Sequence, residues 1–202
     1  MILAMNDRDI RAVLKEGLLR RYKKDENTFV FEEFGLRHGA ARIDLVVVND
    51  WIHGYEIKSD RDSLRRLPDQ IRVYNSVMDR ITIAVGYRYA YEVLRMVPEW
   101  WGVILAENKS RSGTVSLSDA RLPHNNPKVD LNEVVALLWR GEALAILEEM
   151  GAAKGVRSKS RTDIYRRLVE VSSPEYLRAR IRQQLKSRKE WKSGAQRMSC
   201  GD

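Results

Sequence analysis

The run RIDLVVVNDWIHGYEIKSD (residues 42–60) constrains the fold of this chain more than any other segment. Residues 43–48 are apolar and mostly β-branched, which is typical of a buried strand. Asn49 and Asp50 are common turn residues, and residues 51–57 have the composition of a returning strand. The run therefore predicts two neighbouring antiparallel strands joined by a tight turn.

Three charged residues of this hairpin predict a chemical site. Alternate residues of a strand share a face, so Glu56 and Lys58 project together, whereas Tyr55 and Ile57 point the other way. Asp44 lies on the neighbouring strand, and Mg²⁺ is usually bound by one or two carboxylates, water and substrate phosphate. A nearby lysine can stabilise developing negative charge. The pattern predicts a divalent-metal phosphodiesterase site, and the alternative is an ordinary surface ion pair.

The first half of the chain predicts an α/β fold. Helical periodicity indicates a helix over residues 7–22, and further helices are expected at 63–78 and 89–96. Additional strands are predicted at residues 28–34, 80–85 and 101–106. Pro68 falls inside the second predicted helix, so we expect either a kink or a restart with this proline in the first turn. The order αβββαβαβ indicates a mixed sheet with flanking helices.

The second half predicts a helical extension. Residues 108–127 are rich in Ser, Gly, Asn and Pro, which indicates a boundary, with a short strand at 114–117. One helix is predicted over residues 131–150, followed by a glycine-rich basic turn, a further helix, and a basic helix over 174–191. We therefore expect a core at 1–107, a linker at 108–128 and a basic helical extension at 129–202.

The acidic, lysine and glutamine–tyrosine positions stand in the order Asp44, Glu56-Ile57-Lys58 and Gln70-x-x-x-Tyr74. This order resembles the core motif of the PD-(D/E)XK nuclease superfamily, except that Ile43 stands where many members have proline. The segments FEEFGLRHGAARIDL, GYEIKSDRDSL and VPEWWGVILAE are similar to a small bacterial branch of that superfamily. The resemblance covers roughly residues 5–107 and implies a restriction-endonuclease-like fold.

The resemblance also implies a role for each motif residue. Asp44 and Glu56 would bind Mg²⁺ or Mn²⁺, together with the carbonyl oxygen of Ile57. Lys58 would activate water or stabilise the transition state, and Gln70 would position the lysine, the water or a phosphate. These roles describe a metal-dependent nuclease, for which we expect DNA to be the substrate.

Two other glutamates are candidates for the same site. Glu33 lies one strand before Asp44 and could supply another metal carboxylate, as the resemblance suggests. Its neighbour Glu32 has the opposite orientation in a strand, so we expect only one of the pair to face the site. Glu16 is the rival on the first helix, but it lies opposite the apolar stripe of that helix, which favours exposure to solvent.

Charge is unevenly distributed along the chain. Residues 1–150 carry 22 Lys and Arg against 23 Asp and Glu, whereas residues 151–202 carry 14 against 5. The basic extension predicts sequence-independent phosphate binding, with Arg178, Arg182 and Lys186 along one helix face. Arg61 and Arg65 flank the motif and are candidate phosphate contacts as well. The alternative is a solvated surface or a protein-binding face, and charge alone does not distinguish DNA from RNA.

Several function classes are excluded by composition and motif spacing. No apolar run reaches the length of a membrane span, and no signal-peptide pattern is visible. Cys200 is the single cysteine, which excludes an intrachain disulfide and a multi-cysteine zinc site. GAAKGVRSKS lacks the spacing of a phosphate-binding loop. We expect a cytoplasmic Mg²⁺-dependent deoxyribonuclease; an RNase of the same fold, a catalytically silent nucleic-acid-binding module and a homodimeric assembly all stay open.

Overall fold

One mixed sheet organises the chain, for which a computed structural model describes residues 5–109 and 114–198. The strands are β1 (Phe29–Leu36), β2 (Ala41–Val48), β3 (Ile52–Lys58), β4 (Arg80–Gly86), β5 (Gly102–Asn108) and β6 (Val115–Arg121). They lie side by side in chain order. The pairs β1–β2, β2–β3 and β5–β6 are antiparallel, whereas β3–β4 and β4–β5 are parallel. The predicted hairpin and the mixed α/β sheet are confirmed.

Helices cover both faces of this sheet. They are α1 (Asp7–Arg21), α2 (Leu67–Val77), α3 (Ala90–Met96), α4 (Leu131–Val135), α5 (Arg140–Glu149), α6 (Arg161–Val171) and α7 (Pro174–Met198). The apolar stripe of α1 packs on one face against alternate residues of β2 and β3. Helices α2 to α7 belong to the larger apolar cluster on the opposite face. In the described part of the chain, no helix combines the length and apolarity needed to cross a membrane.

The start of α2 decides between the two alternatives predicted at Pro68, because the helix restarts there. Ser63 caps a short 3-10 turn (Leu64–Arg66) by accepting from the Arg65 N–H. Pro68 lies in the first turn of α2, where its missing N–H costs no intrahelical hydrogen bond. Helix α2 therefore begins close to the end of β3, which brings its polar side chains to the same end of the sheet.

The prediction of one helix over residues 131–150 is wrong, because the chain turns between α4 and α5. Trp139 is extended, and its backbone N–H donates to the Glu142 carboxylate (2.7 Å). The carbonyl groups released by the break find tertiary partners: Arg188 donates to Leu137 O (2.9 Å), and the Tyr165 hydroxyl donates to Leu138 O. Local helix propensity is overridden by these hydrogen bonds, which no periodicity in residues 131–150 reveals.

The C-terminal helices share the core of the sheet. Leu177, Ile181 and Leu185 of α7 are fully buried in the same cluster as Tyr74 and Trp101. Strand β6 overlaps the short strand predicted at 114–117 inside the expected linker, but it extends to Arg121 and pairs with β5 along the edge of the sheet. The region after residue 108 therefore completes the apolar core.

Candidate functional site

The predicted motif residues line one pocket at the end of β3. The pocket is open, has a volume of about 580 Å³ and is bounded by β2, β3 and α2. Its carboxylates are Asp7, Glu33, Asp44, Glu56, Asp62 and Asp69, and its cations are Arg42, Lys58 and Arg66. Even with Arg11 of α1, which contacts Asp7, Glu33 and Asp44, six carboxylates meet four cations, so a phosphate group would be repelled unless additional positive charge were present.

Glu56 is the most enclosed acid of the pocket, with a side chain only 3% exposed. Its Oε1 accepts from the Lys58 ammonium (2.5 Å) and from Gln70 Nε2 (2.7 Å). Its Oε2 accepts from the Tyr74 hydroxyl (2.8 Å). Tyr55 and Ile57 pack on the opposite face against α1. The strand alternation predicted from the sequence is confirmed for β3, where Glu56 and Lys58 share a face, and Gln70 of α2 joins them there.

Asp44 reaches the same pocket from β2. Its Oδ2 accepts from the backbone N–H of Ile57 (2.7 Å), and its Oδ1 accepts from the Arg11 guanidinium (2.5 Å). Burial, followed by the negative charge of Glu56, raises the pKa of Asp44 to about 7, against the opposing effects of Ile57 N–H and Arg11. Further positive charge near Asp44 would favour its ionised form.

A local irregularity of β1 and β2 positions Asp44. Glu33 and Asp44 fall between the paired positions of the two strands, and Glu33 has φ = 49°. A positive φ is uncommon outside glycine. Ile43 and Val46, three residues apart, pack in the same apolar cluster, whereas strict alternation would put them on opposite faces. The alternation of side chains between the two faces of β2 therefore shifts at Asp44, whose carboxylate contacts Arg11 of α1.

Arg11 is a member of the site that the sequence reasoning missed. Its guanidinium contacts three carboxylates: Asp7 (3.2 Å), Glu33 (2.5 Å) and Asp44 (2.5 Å). Burial alone lowers the pKa of Arg11, but these acids, led by Asp44, outweigh burial and raise it above its usual value. The sequence could have indicated Arg11 by its position: it follows Ile10 at the border of the apolar stripe of α1 and lies four residues after Asp7.

The other glutamates divide as the sequence predicted. Glu33 lies at the pocket, where its carboxylate contacts both Arg11 and Arg42 (3.3 Å). Glu32 points elsewhere and pairs with Lys15 on α1. Glu16 is 74% exposed and pairs with Arg20. Only Glu33 of these three can join Asp44, and its role as a metal ligand stays a prediction.

The polar end of α2 leaves one acceptor in the pocket without a donor. Gln70 Oε1 is buried, and among the described residues no hydrogen-bond donor reaches it. The amide nitrogen of Gln70 is engaged by Glu56 and by the Tyr74 hydroxyl (3.1 Å). An unsatisfied buried acceptor is costly, so a water molecule or a hydrated ion beside it would be stabilising.

The donor set fits a hydrated Mg²⁺ or Mn²⁺ ion. Asp44 and Glu56 supply two carboxylates, and the backbone of Ile57 and the orphaned Gln70 oxygen border the same pocket. Within the described ranges, no group of three or more His, Cys, Asp or Glu side chains is arranged to hold a metal. A site with two carboxylates suits Mg²⁺, which keeps several waters and binds substrate phosphate.

The predicted phosphate contacts lie at two different ends of the sheet. Arg61 and Arg65 are exposed and follow β3 directly, close to the pocket. Arg178 instead contacts the buried Asp79 carboxylate, which also accepts from the N–H of Ile52 (2.7 Å). Ile52 begins β3, roughly 20 Å along the strand from Lys58. Arg178 is therefore committed to an ion pair far from the carboxylates.

The two remaining predicted contacts also lie on α7. Lys186 donates to Asn27 Oδ1 (2.6 Å) before the start of β1. Arg182 is partly exposed, and no ion pair joins it to another described residue. A phosphate-binding role of this helix face stays a prediction, but its geometry separates it from the pocket.

Comparison with known proteins gives one family and one curated relative. The family described as "Bacteriophage P4 protein cII" matches residues 4–198. "Protein cII" of Enterobacteria phage P4 is 27% identical over 108 residues, which span 54% of this chain and only 40% of the phage protein. A solved structure, "SPO1766 protein of unknown function from Silicibacter pomeroyi", is similar at 19% identity and a TM-score of 0.44, over 78% of this chain and 100% of that one. Because the family match extends over nearly the whole sequence, the chain belongs to the bacteriophage P4 protein cII family.

Proposed function

We propose that this protein is a metal-dependent nuclease acting on DNA, with a PD-(D/E)XK-type site at Asp44, Glu56 and Lys58. The observation that carries the proposal is the convergence of two enclosed carboxylates, a lysine and Gln70 in one open pocket. A surface that only binds phosphate gains nothing from clustered acids, because they repel the ligand. As a DNA-cleaving enzyme, the protein would act in the cytoplasm.

Asp44 and Glu56, with the carbonyl oxygen of Ile57, would hold Mg²⁺ or Mn²⁺. The ion would supply Lewis-acid chemistry, polarising a phosphoryl oxygen and making water a usable nucleophile near neutral pH. The acidity of the pocket supports this assignment, since added positive charge would both ionise Asp44 and permit a phosphate to approach. The unpartnered Gln70 oxygen would accept a hydrogen bond from a water in the same place.

The side chains of the pocket have separate tasks in this proposal. The Lys58 ammonium, held by Glu56 and only 9% exposed, would stabilise negative charge as it develops on the phosphate. Tyr74 and Gln70 fix the Glu56 carboxylate through both of its oxygens. Arg61 and Arg65, exposed beside the pocket, would contact the phosphates that flank the cleaved bond.

A catalytically silent nucleic-acid-binding module is the second candidate. The observation that favours it is the ion pair between Arg11 and Asp44, because a carboxylate neutralised by arginine has less need of a metal. The nuclease proposal is preferred because this pairing leaves the Lys58–Glu56–Gln70 arrangement unexplained. A silent module would require no lysine fixed against an enclosed carboxylate.

A cleavage assay separates the two candidates. The purified chain would be incubated with supercoiled plasmid, linear duplex, single-stranded DNA and RNA, in Mg²⁺, Mn²⁺ or EDTA. We expect cleavage of DNA that requires metal, is lost in Asp44→Asn and falls in Lys58→Ala while metal binding persists. Cleavage that survives complete metal removal, or that Asp44→Asn retains, would refute the mechanism. Binding without cleavage under every condition would establish the silent module.

A further inference from the structure

We propose that Arg11 is the resident counter-ion of the pocket and competes with a divalent metal for Asp44. The inference deepens the proposed function and rests on it, because it takes Asp44 to be a metal ligand. It assigns to α1 a residue that controls how readily the site accepts a cation. A guanidinium placed there holds the acids together while no metal is bound and must leave Asp44 when one binds.

The geometry makes Asp44 the shared partner. Of its two carboxylate oxygens, Oδ2 is fixed by the N–H of Ile57, which belongs to the sheet and cannot move away. The other oxygen, Oδ1, is the one that Arg11 occupies at 2.5 Å. Arg11 and Asp44 are both mostly enclosed, with side chains 19% and 18% exposed. A metal that binds Oδ1 would therefore come into contact with the guanidinium. Two positive charges in contact repel each other strongly in a partly buried site.

Arg11 also has partners to which it can withdraw. Glu33 and Asp7 contact the same guanidinium, and their side chains are 49% and 40% exposed at the rim of the pocket. Release from Asp44 would leave Arg11 paired with acids that are better hydrated. The side chain can thus exchange one partner without becoming an unpaired buried charge, which is the costly alternative.

The competition gives Arg11 a measurable effect in each state. Without metal, Arg11 offsets the repulsion between Asp44 and Glu56, so its removal should destabilise the fold. With metal, Arg11 opposes binding, so its removal should raise metal affinity. A residue with a purely structural role would lower stability without raising metal affinity, and the two effects together distinguish competition from packing.

The experiment titrates Mn²⁺ into the full chain and measures free Mn²⁺ by electron paramagnetic resonance. Arg11→Gln should bind Mn²⁺ at least about fivefold more tightly than the native chain, the lower end of typical coupling between sites. Lys15→Gln is the matched control, because Lys15 lies one turn further along α1 and pairs with Glu32, outside the pocket. Its affinity should stay within about twofold of native, below that coupling range. Asp44→Asn should bind Mn²⁺ weakly, which would show that the ion binds at Asp44.

Each outcome has a distinct meaning. If the native chain binds Mn²⁺ and folded Arg11→Gln binds it equally or more weakly, Arg11 does not compete with the metal. The proposed metal site would be unaffected by that result. Absence of binding by the native chain and by Arg11→Gln rejects the proposed metal site and the inference with it. If Arg11→Gln does not fold, Mg²⁺ is titrated into the native chain and followed by NMR. The Arg11 Nε–H resonance, assigned with Arg11→Lys, should shift together with the Ile57 amide; a shift of the Ile57 amide alone rejects the competition.

Discussion

Two arginine–carboxylate pairs in this fold have similar partners and different surroundings. Asp79 is 3% exposed, accepts from the N–H of Ile52 and pairs with Arg178 of α7. Asp44 accepts from the N–H of Ile57 and pairs with Arg11 of α1, but it faces an open pocket beside Glu56. The first pair joins α7 to the sheet. The second leaves Asp44 beside Glu56, and burial, followed by the negative charge of Glu56, raises the pKa of Asp44 to about 7.

In these two pairs, the position of a charge matters more than the net charge of its segment. The C-terminal region is strongly basic, yet several of its arginines bind acids of the same chain. Arg178 pairs with Asp79, Arg180 with Glu149, and Arg188 with Glu142. The acidic pocket, in a nearly neutral region, is where unbalanced charge accumulates. We therefore expect activity to depend on the Asp44 pair and stability on the Asp79 pair.

The largest expected effect separates the two aspartates directly. Asp44→Asn should reduce DNA cleavage by about 1000-fold, since it removes charge from the proposed metal site. Its metal-free stability at pH 8 should be maintained, because a carboxylate that resists ionisation is lost. Asp79→Asn should show the reverse: lower stability, with activity retained at temperatures where it is folded. Cleavage rates and thermal unfolding of both variants measure this contrast. Equal losses of DNA cleavage activity in the two variants would contradict it.

The next effect concerns the arginine of the structural pair. Arg178→Ala leaves the buried Asp79 carboxylate unpaired and should lower the free energy of unfolding by about 3 kcal/mol. Arg182→Ala, one turn further along the same helix, should change it by less than about 0.5 kcal/mol. Urea denaturation of both variants gives these values. Similar stabilities of the two variants would show that the Asp79 pair contributes little.

The elements that the sequence predicted are those governed by local rules. Strand alternation placed Glu56 and Lys58 on one face, and the restricted backbone of Pro68 located the start of α2. The candidate pocket followed from these two features together with the strand turn. Short-range pattern was sufficient because both parts of the pocket lie within about thirty residues of each other.

The features that escaped prediction depend on contacts between distant segments. Arg11 reaches Asp44 only because α1 packs across β2 and β3, and the backbone shift at Glu33 alters the alternation that sequence reasoning assumes. The break between α4 and α5 is stabilised by Arg188 and Tyr165 from later helices. Helix periodicity in the C-terminal region correctly indicated buried leucines but could not show which acids its arginines meet.

A smaller effect follows from the pKa of Asp44. Its pKa in the folded protein is raised to about 7 from 3.8, so the folded state binds a proton that the unfolded state has released between these values. Metal-free stability should therefore fall as pH rises from about 4 to 7. Mn²⁺ affinity should increase by up to about tenfold per pH unit below 7 and level off above it, because the metal displaces this proton. Calorimetric titration with Mn²⁺ at pH values from 5.5 to 8 measures this affinity. An Mn²⁺ affinity that does not change with pH would contradict the prediction.

The smallest effect compares the two sets of basic residues. Changing Arg61 and Arg65 to Gln should weaken DNA binding several-fold and make the slope of log affinity against log salt shallower by about 1.8, two phosphate contacts at about 0.9 each. Changing Arg182 and Lys186 to Gln removes the same charge at the other end of the sheet and should leave the slope unaltered. Fluorescence anisotropy with labelled duplex measures both. A larger effect from changing Arg182 and Lys186 would show that the DNA-binding surface lies on α7 instead.

The proposed function requires that Asp44 and Glu56 bind one divalent ion. Anomalous diffraction from crystals soaked in Mn²⁺ tests it most directly, because the signal locates the ion without reference to activity. We expect a peak within about 2.1 Å of an oxygen from each carboxylate, the distance typical of a hard divalent ion, with the Arg11 guanidinium withdrawn from Asp44 toward Glu33 and Asp7. Absence of a peak between the two carboxylates at saturating Mn²⁺, or a peak confined to another part of the molecule, would contradict it.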